Sequence, residues 1–260
     1  MGLIDTHCHL TFEALAGDVE GVIERSYAAG VTEWVTVGTD ARHSRKAIEL
    51  AERFDNMYAT VGIHPHDAKD VTGDVLAELR DLAQHEKVVA IGETGLDFHY
   101  NFSEPKEQRR AFAAQLKIAS ELNLPVIVHS REAFDETVDI LDHHGGDVRK
   151  VVFHCFPGPG EHARIVLGKG WYVSFTGVVT FKNAEKVREA ASVVPLDRMM
   201  LETDCPYMSP APMRKQKVNE PALMIHTARF MADLKNMDFD EFAKAVTKTS
   251  REFFNLPGKA

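Results

Sequence analysis

Six residues of types that bind cations, His7, His9, Glu93, His129, His154 and Asp204, stand at or just past the ends of short apolar runs. Those runs read "LIDTHCHL", "VVAIGETGLD", "PVIVHSR", "VVFHCF" and "MMLETDCP". One histidine in such a place is ordinarily a hydrogen-bonded core or surface residue, and a lone H-x-H carries little weight. Four imidazoles and two carboxylates at five such ends are harder to place in a core, because burying that many polar groups demands a partner for each. A divalent cation is a partner to several at once. Imidazole mixed with carboxylate suits Zn²⁺ or Mn²⁺ better than Ca²⁺, and Mg²⁺ fits where carboxylate and water dominate. Six donors exceed what one ion takes from protein while leaving room for substrate, so the set suggests two ions about 3.5–4 Å apart.

Strand side chains alternate, so His7 and His9 share one face while Cys8 points away. The same parity sets Cys155 opposite His154 and Cys205 opposite Asp204, and all three cysteines read as buried packing residues. With no C-x-x-C pair and an odd count, they form no disulfide framework. In "GIHPH", His64 ends the third run and faces the site as a substrate contact, whereas His66 follows Pro65 and reads as solvated. His43, His85, His99, His143, His144 and His162 fall in helices or loops and read as surface. Arg131, Lys182 and Arg214 lie near strand ends and are candidates to hold phosphates, weighed evenly against being ordinary exposed charges. Phe98 and Tyr100, just after "ETGLD", could stack on bases, although loop packing is the stronger reading for both.

The elements that must position these residues show a simple alternation. Eight apolar runs rich in β-branched residues are each followed by an amphipathic segment. Strands apolar on both faces imply a parallel sheet covered by helices, either an open doubly wound sheet or a closed (β/α)₈ barrel. Eight units in 260 residues favour the barrel, whose functional groups gather at the C-terminal ends of strands. Phe112, Leu116 and Ala119 form one helical stripe, and Val75, Leu79 and Leu82 another. Asp40 and Asn183 are expected to cap helices, and "DFDE" at Asp238–Glu241 to open an extra C-terminal helix with Phe239, Phe242 and Val246 inward. With no linker or repeat in between, residues 1–260 read as one α/β domain.

Hydrophobic content of 44% and charged content of 27% suit a globular chain. There is no apolar run of roughly 20 residues and no secretory leader, so the expected location is cytoplasmic and no membrane partner is expected. A net charge of −9 offers no global attraction to nucleic acid, so contacts with phosphates would come from local basic residues or bound cations.

"DTHCHL", "VGIHPH", "AIGETGLDF", "VIVHSR", "FHCF" and "LETDCPY", in this order, resemble the TatD family of metal-dependent hydrolases, in the amidohydrolase-like superfamily. The resemblance covers essentially the whole chain. It implies a TIM barrel with a divalent metal pair, Mg²⁺ or Mn²⁺ with Zn²⁺ open, and deoxyribonuclease or exonuclease activity on phosphodiesters. Carried over by residue, His7, His9 and Asp204 bind one metal, His129 and His154 the other, and Glu93 bridges. Asp204 is the expected general base, and Glu202 matches a position near the metals whose role stays open. The expected partner is DNA with single-stranded or frayed ends, read through phosphates more than bases, and no obligate protein partner is evident. Two departures stand out: "HCFPGPG" where the family often has "HCFTG", and "RKQKVNEP" where it commonly has R-G-x-x-N-x-P. Two other classes remain: an ester or amide hydrolase, such as one deacylating aminoacyl-tRNA, and a non-catalytic metal-stabilised binding protein.

Overall fold

The computed structural model describes residues 2–257 apart from Asp147 and Arg149. Among them eight strands form one sheet in chain order: β1 (Leu3–Cys8), β2 (Val31–Val37), β3 (Met57–Val61), β4 (Val88–Asp97), β5 (Val126–Arg131), β6 (Val151–Phe153), β7 (Tyr172–Phe175) and β8 (Met199–Leu201). Each of the eight apolar runs becomes one of these strands, with helical segments between them. The chain divides into two compact units, one running to Thr36 and resuming at Cys155, the other Val37–His154.

In the first unit β1 pairs parallel with β2, Leu3 opposite Val31. All six β1 residues are buried, as a strand covered on both faces requires. β1 also meets the end of β8: the Asp204 N–H donates to the His7 carbonyl and the His9 N–H to that of Cys205, both at 2.9 Å. First and last strands therefore adjoin, which an open sheet forbids. The fold is the (β/α)₈ barrel, with helices at Met224–Leu234 and Phe239–Phe254 completing the C-terminus. Asp238 caps the last helix through the N–H groups of Asp240 and Glu241. Phe242 and Val246 are buried, while Phe239 stays half-buried beneath the Arg229 guanidinium. Asn183 is not the cap expected of it. The turn Phe181–Ala184 delays the helix to Glu185–Val193, because Ala184 N–H bonds the Phe181 carbonyl and Arg188 gathers the carbonyls of Phe181 and Lys182.

In the second unit Asp40 caps the helix Ala41–Glu52 by accepting the His43 N–H, as expected. Phe112, Leu116 and Ala119 are buried on the helix Pro105–Leu122. The stripe on Gly73–Leu82 is thinner than expected, since only Leu79 is fully buried and Val75 and Leu82 are half-covered. β4 is the longest strand, because it pairs with β5 through Asp97 and Arg131. Its register against β5 shifts between Ile91 and Thr94. Such an irregularity re-aims the side chain it contains, here Glu93. Glu93 accordingly lies in mid-strand rather than at the strand end. Gly95 has φ +140° opposite His129, and a Cβ there would stand 2.0 Å from the His129 carbonyl oxygen. Only glycine lets these two strands come so close.

Candidate metal centre

Within the first unit, β1 aims His7 and His9 to the same side, as the alternation requires. Their Nε2 atoms are 3.2 Å apart, and those of His9 and His7 lie 3.2 and 3.8 Å from Asp204 Oδ1. All three residues are buried. Ligands about 2.1 Å from one ion stand roughly 3.4 Å from each other in a tetrahedral site, so these spacings fit a single divalent cation. Asp204 has φ +52°, a left-handed conformation that Asp tolerates better than most residues. The His9 ring is stacked on Phe12, with centroids 4.5 Å apart. Behind the group, Asp5 is fully buried and accepts from the His7 N–H, the Thr203 N–H and the Thr203 hydroxyl. Burial pushes its carboxyl up to about 7 against the bonds from Thr203. Asp5 thus ties the segment before His7 to that before Asp204.

Within the second unit, Glu93 Oε1 meets three imidazoles: His129 Nδ1 and His154 Nε2 at 2.8 Å each, and His64 Nε2 at 3.3 Å. Burial raises the Glu93 carboxyl, but the electrostatic pull of the neighbouring His154 and His64 rings and the bonds from His129 and His154 outweigh it and hold it well below the usual carboxylate range. His129 uses its other nitrogen, Nε2, on Asp97 Oδ2 at 3.1 Å. Burial disfavours the His129 cation, yet bonds to Asp97 and Glu93 leave its pKa raised. A carboxylate behind an imidazole fixes its tautomer and presents the opposite nitrogen to a cation. The donor set of His64, Glu93 and His129 also gathers within the span of one ion's ligands. His64 Nδ1 accepts the His66 N–H, so its proton sits on Nε2 and points to Glu93. Burial, only partly offset by Glu93, keeps this ring neutral, with its pKa down to about 4. Neutral and protonated on that side, His64 donates to Glu93.

Two expectations are corrected. His66 is not solvated: its Nε2 is 3.0 Å from Asp97 Oδ2 and its ring meets those of His64 and Phe102. Cys155 is half-buried rather than core, because φ +42° at a turn past β6 takes its Sγ out of the strand-to-helix space to Thr176 Oγ1 and Met208 Sδ at 3.5 Å each. Cys8 and Cys205 are buried as expected, and Cys8 Sγ donates to the Val35 carbonyl. Glu202 accepts the Cys155 N–H at 2.7 Å and the Ser174 hydroxyl at 2.6 Å, one on each oxygen.

Of the basic candidates, Lys182 and Arg214 are exposed. Arg214 donates to the Ser209 carbonyl and lies over Phe181 at 3.7 Å. Arg131 lies over the Tyr100 ring at 4.6 Å. Phe98 is half-buried under Arg109, whereas Tyr100 is 48% exposed. Asp97 and Asn219 are absent from the sequence-based candidates. Asp97 shares the Glu93 face of β4, four residues on, so parity could have found it. Asn219 is buried and ties its loop to the Thr203 and Tyr207 carbonyls, which the altered "RKQKVNEP" spacing conceals.

A (β/α)₈ barrel bearing histidine and carboxylate donors on and just past its strands is the architecture of metal-dependent hydrolases. Residues 4–255 match the family described as TatD related DNase. The chain is 42% identical over 254 residues to the uncharacterized metal-dependent hydrolase YabD of Bacillus subtilis, covering 98% of this chain and 99% of that protein. It is 38% identical over 259 residues to the 3'-5' ssDNA/RNA exonuclease TatD of Erwinia tasmaniensis, covering 98% and 100%. The crystal structure of YjjV, a TatD homolog from Escherichia coli K12, superposes with a TM-score of 0.92 at 31% identity, covering 98% of each chain. The chain belongs to the TatD family of metal-dependent hydrolases.

Proposed function

We propose that the protein is a divalent-metal-dependent nuclease that hydrolyses phosphodiester bonds at single-stranded or frayed DNA ends. The observation that carries this reading is the pair of donor groups, one buried and one partly buried, each spaced for a cation, in a chain matched by the TatD related DNase family from residue 4 to residue 255. His7, His9 and Asp204 would hold one ion, and Glu93, His129 and His154 a second, with Mg²⁺ or Mn²⁺ preferred and Zn²⁺ chemically admissible. Bound divalent cations lower the pKa of water and neutralise charge on phosphate oxygens. Asp204 takes the proton from the attacking water, its carboxylate held in place by the backbone bond to His7. His64 donates from Nε2 to Glu93 without bringing a charge. Glu202 accepts the Cys155 N–H and the Ser174 hydroxyl and so positions the Cys155 turn. Arg131, Lys182 and Arg214 contact phosphates, which supports low sequence specificity. The name of the Erwinia relative supports attack from the 3′ end and action on RNA as well.

The test is a side-by-side assay of metal-stripped and metal-restored protein on 3′- and 5′-labelled single-stranded oligonucleotides, aminoacyl-tRNA and simple esters. Ion-dependent shortening from one end is the expected result. Turnover of the aminoacyl or ester substrates with none of the oligonucleotide would replace the nuclease with an ester or amide hydrolase.

A further inference from the structure

Past β4 the chain runs Phe98-His99-Tyr100-Asn101-Phe102-Ser103, and two of its rings are left bare. Tyr100 is 48% and Phe102 58% exposed. Single exposed apolar side chains are ordinary, but these rings are ordered together: their planes lie within 5° of parallel, with centroids 5.4 Å apart. The Arg131 guanidinium also lies against Tyr100, at 4.6 Å, so Arg131, Tyr100 and Phe102 form a short stack ending in the more exposed ring.

The backbone beneath the stack is pinned. Asp97 Oδ1 accepts the N–H groups of His99 and Tyr100 at 3.0 and 2.9 Å. Lys69 Nζ reaches the Phe102 carbonyl, Ser103 Oγ donates to the His66 carbonyl, and Gln108 holds the Ser103 carbonyl. A loop tied down at this many points, with its two largest apolar groups facing water, is pre-organised to take a flat partner with little ordering cost. The stack is also next to the donor group of the second unit. His66 sets its ring edge against Phe102 at 4.7 Å and Tyr100 at 5.5 Å, and shares the Asp97 carboxylate with His129.

We propose that Phe102, backed by Tyr100 and Arg131, is a stacking platform for the base of the nucleotide at the end being cleaved. This rests on the nuclease reading above. A nucleobase is the occupant because the surface is flat and aromatic, lies one imidazole away from Asp97 and His129, and carries a guanidinium. Stacking accepts every base, in keeping with a site that reads phosphates and ends. It gives the strand terminus a fixed seat, where an unstacked end would sample many positions.

The test uses single-stranded oligonucleotides whose terminal base is 2-aminopurine and whose last linkage is non-hydrolysable, titrated into protein with Mg²⁺ while the fluorescence of 2-aminopurine is followed. Wild type should quench the probe, and Phe102→Ala should lose the quenching and bind roughly 5- to 150-fold more weakly, the range for one lost base stack. Phe102→Trp should restore both. On cleavable oligonucleotides, wild type should show a lower KM for a terminus bearing a base than for an abasic terminus, and Phe102→Ala should bring the two KM values together. Because Phe102 is exposed, its variants should melt with wild type. Unchanged quenching and an unchanged KM ratio in a cleaving Phe102→Ala protein overturn the platform and leave the nuclease reading intact. Quenching that depends on Phe102, in a protein that cleaves no oligonucleotide with any ion, upholds the platform and removes the nuclease. Absence of quenching in wild type overturns the platform.

Discussion

The Asp97 carboxylate stands 3.1 Å from Nε2 of His129, on the side of the ring opposite the nitrogen that meets Glu93. Asp97 is buried, and burial alone would raise its carboxyl. Bonds from His129, His66 and the Tyr100 N–H instead hold it well below the usual range. Asp97→Asn keeps an oxygen for the backbone N–H groups but turns an NH₂ towards both imidazoles, which share the other oxygen. Metal affinity measured by calorimetry should fall roughly 10- to 100-fold. The melting temperature should also fall, because a carboxylate held below its usual range contributes stability at neutral pH. Affinity equal to wild type would mean that His129 is oriented by its strand alone.

Glu93→Ala should be far more damaging than any change at Cys8. It removes the carboxylate oxygen at which three imidazoles converge, and activity should drop by a factor on the order of 10² or more. Metal analysis of the purified variant should show less than the wild-type content. Cys8→Ser keeps a donor for the Val35 carbonyl and lies on the other face of β1, so its activity and metal content should stay near wild type. The reverse pattern, metal lost at Cys8→Ser and retained at Glu93→Ala, would refute the assignment of faces in β1 and β4.

Gly95→Ala tests the backbone that carries His129. The added methyl would meet the His129 carbonyl at 2.0 Å in a conformation with φ +140°, so both overpacking and strain apply. Together these should lower stability by about 2–6 kcal/mol, read from urea unfolding. A stability within 1 kcal/mol of wild type, on the same order-of-magnitude scale, would show that β4 and β5 can separate without cost.

Arg214→Ala should raise KM similarly on all oligonucleotide sequences and flatten the dependence of KM on salt, because a phosphate contact is lost without any base contact. Arg214 is exposed, donates to the Ser209 carbonyl and lies over the Phe181 face, so the fold should be little affected. A change in KM confined to one sequence would make Arg214 a base-reading residue instead.

Much of this architecture is legible from periodicity. The eight strands follow from runs whose both faces are apolar, and the pairing of His7 with His9 follows from the two-residue repeat alone. The cap at Asp40 likewise needs only local chemistry. What stayed hidden depends on contacts distant in the chain. His66 looks solvated after Pro65 because nothing local shows that Asp97, 31 residues later, holds its ring. Glu93 looks like a strand end because pairing of Thr94–Asp97 with β5 is not encoded in β4 itself. Asn183 has the right residue type for a cap, but Arg188 captures the carbonyls of the preceding turn and moves the helix start to Glu185. Asn219 is buried by bonds to Thr203 and Tyr207 that its own neighbourhood does not reveal.

The most direct test of the account is to strip the protein of metal by prolonged dialysis against chelator, then follow a 3′-labelled single-stranded oligonucleotide as Mg²⁺, Mn²⁺ or Zn²⁺ is returned, with the metal bound per chain measured in parallel. The account predicts no hydrolysis in chelator and restored release of terminal nucleotides as the ion binds, with both responses lost in His7→Ala and in Glu93→Ala. Full hydrolysis in excess chelator, or metal binding that His7→Ala and Glu93→Ala leave unchanged, would contradict it.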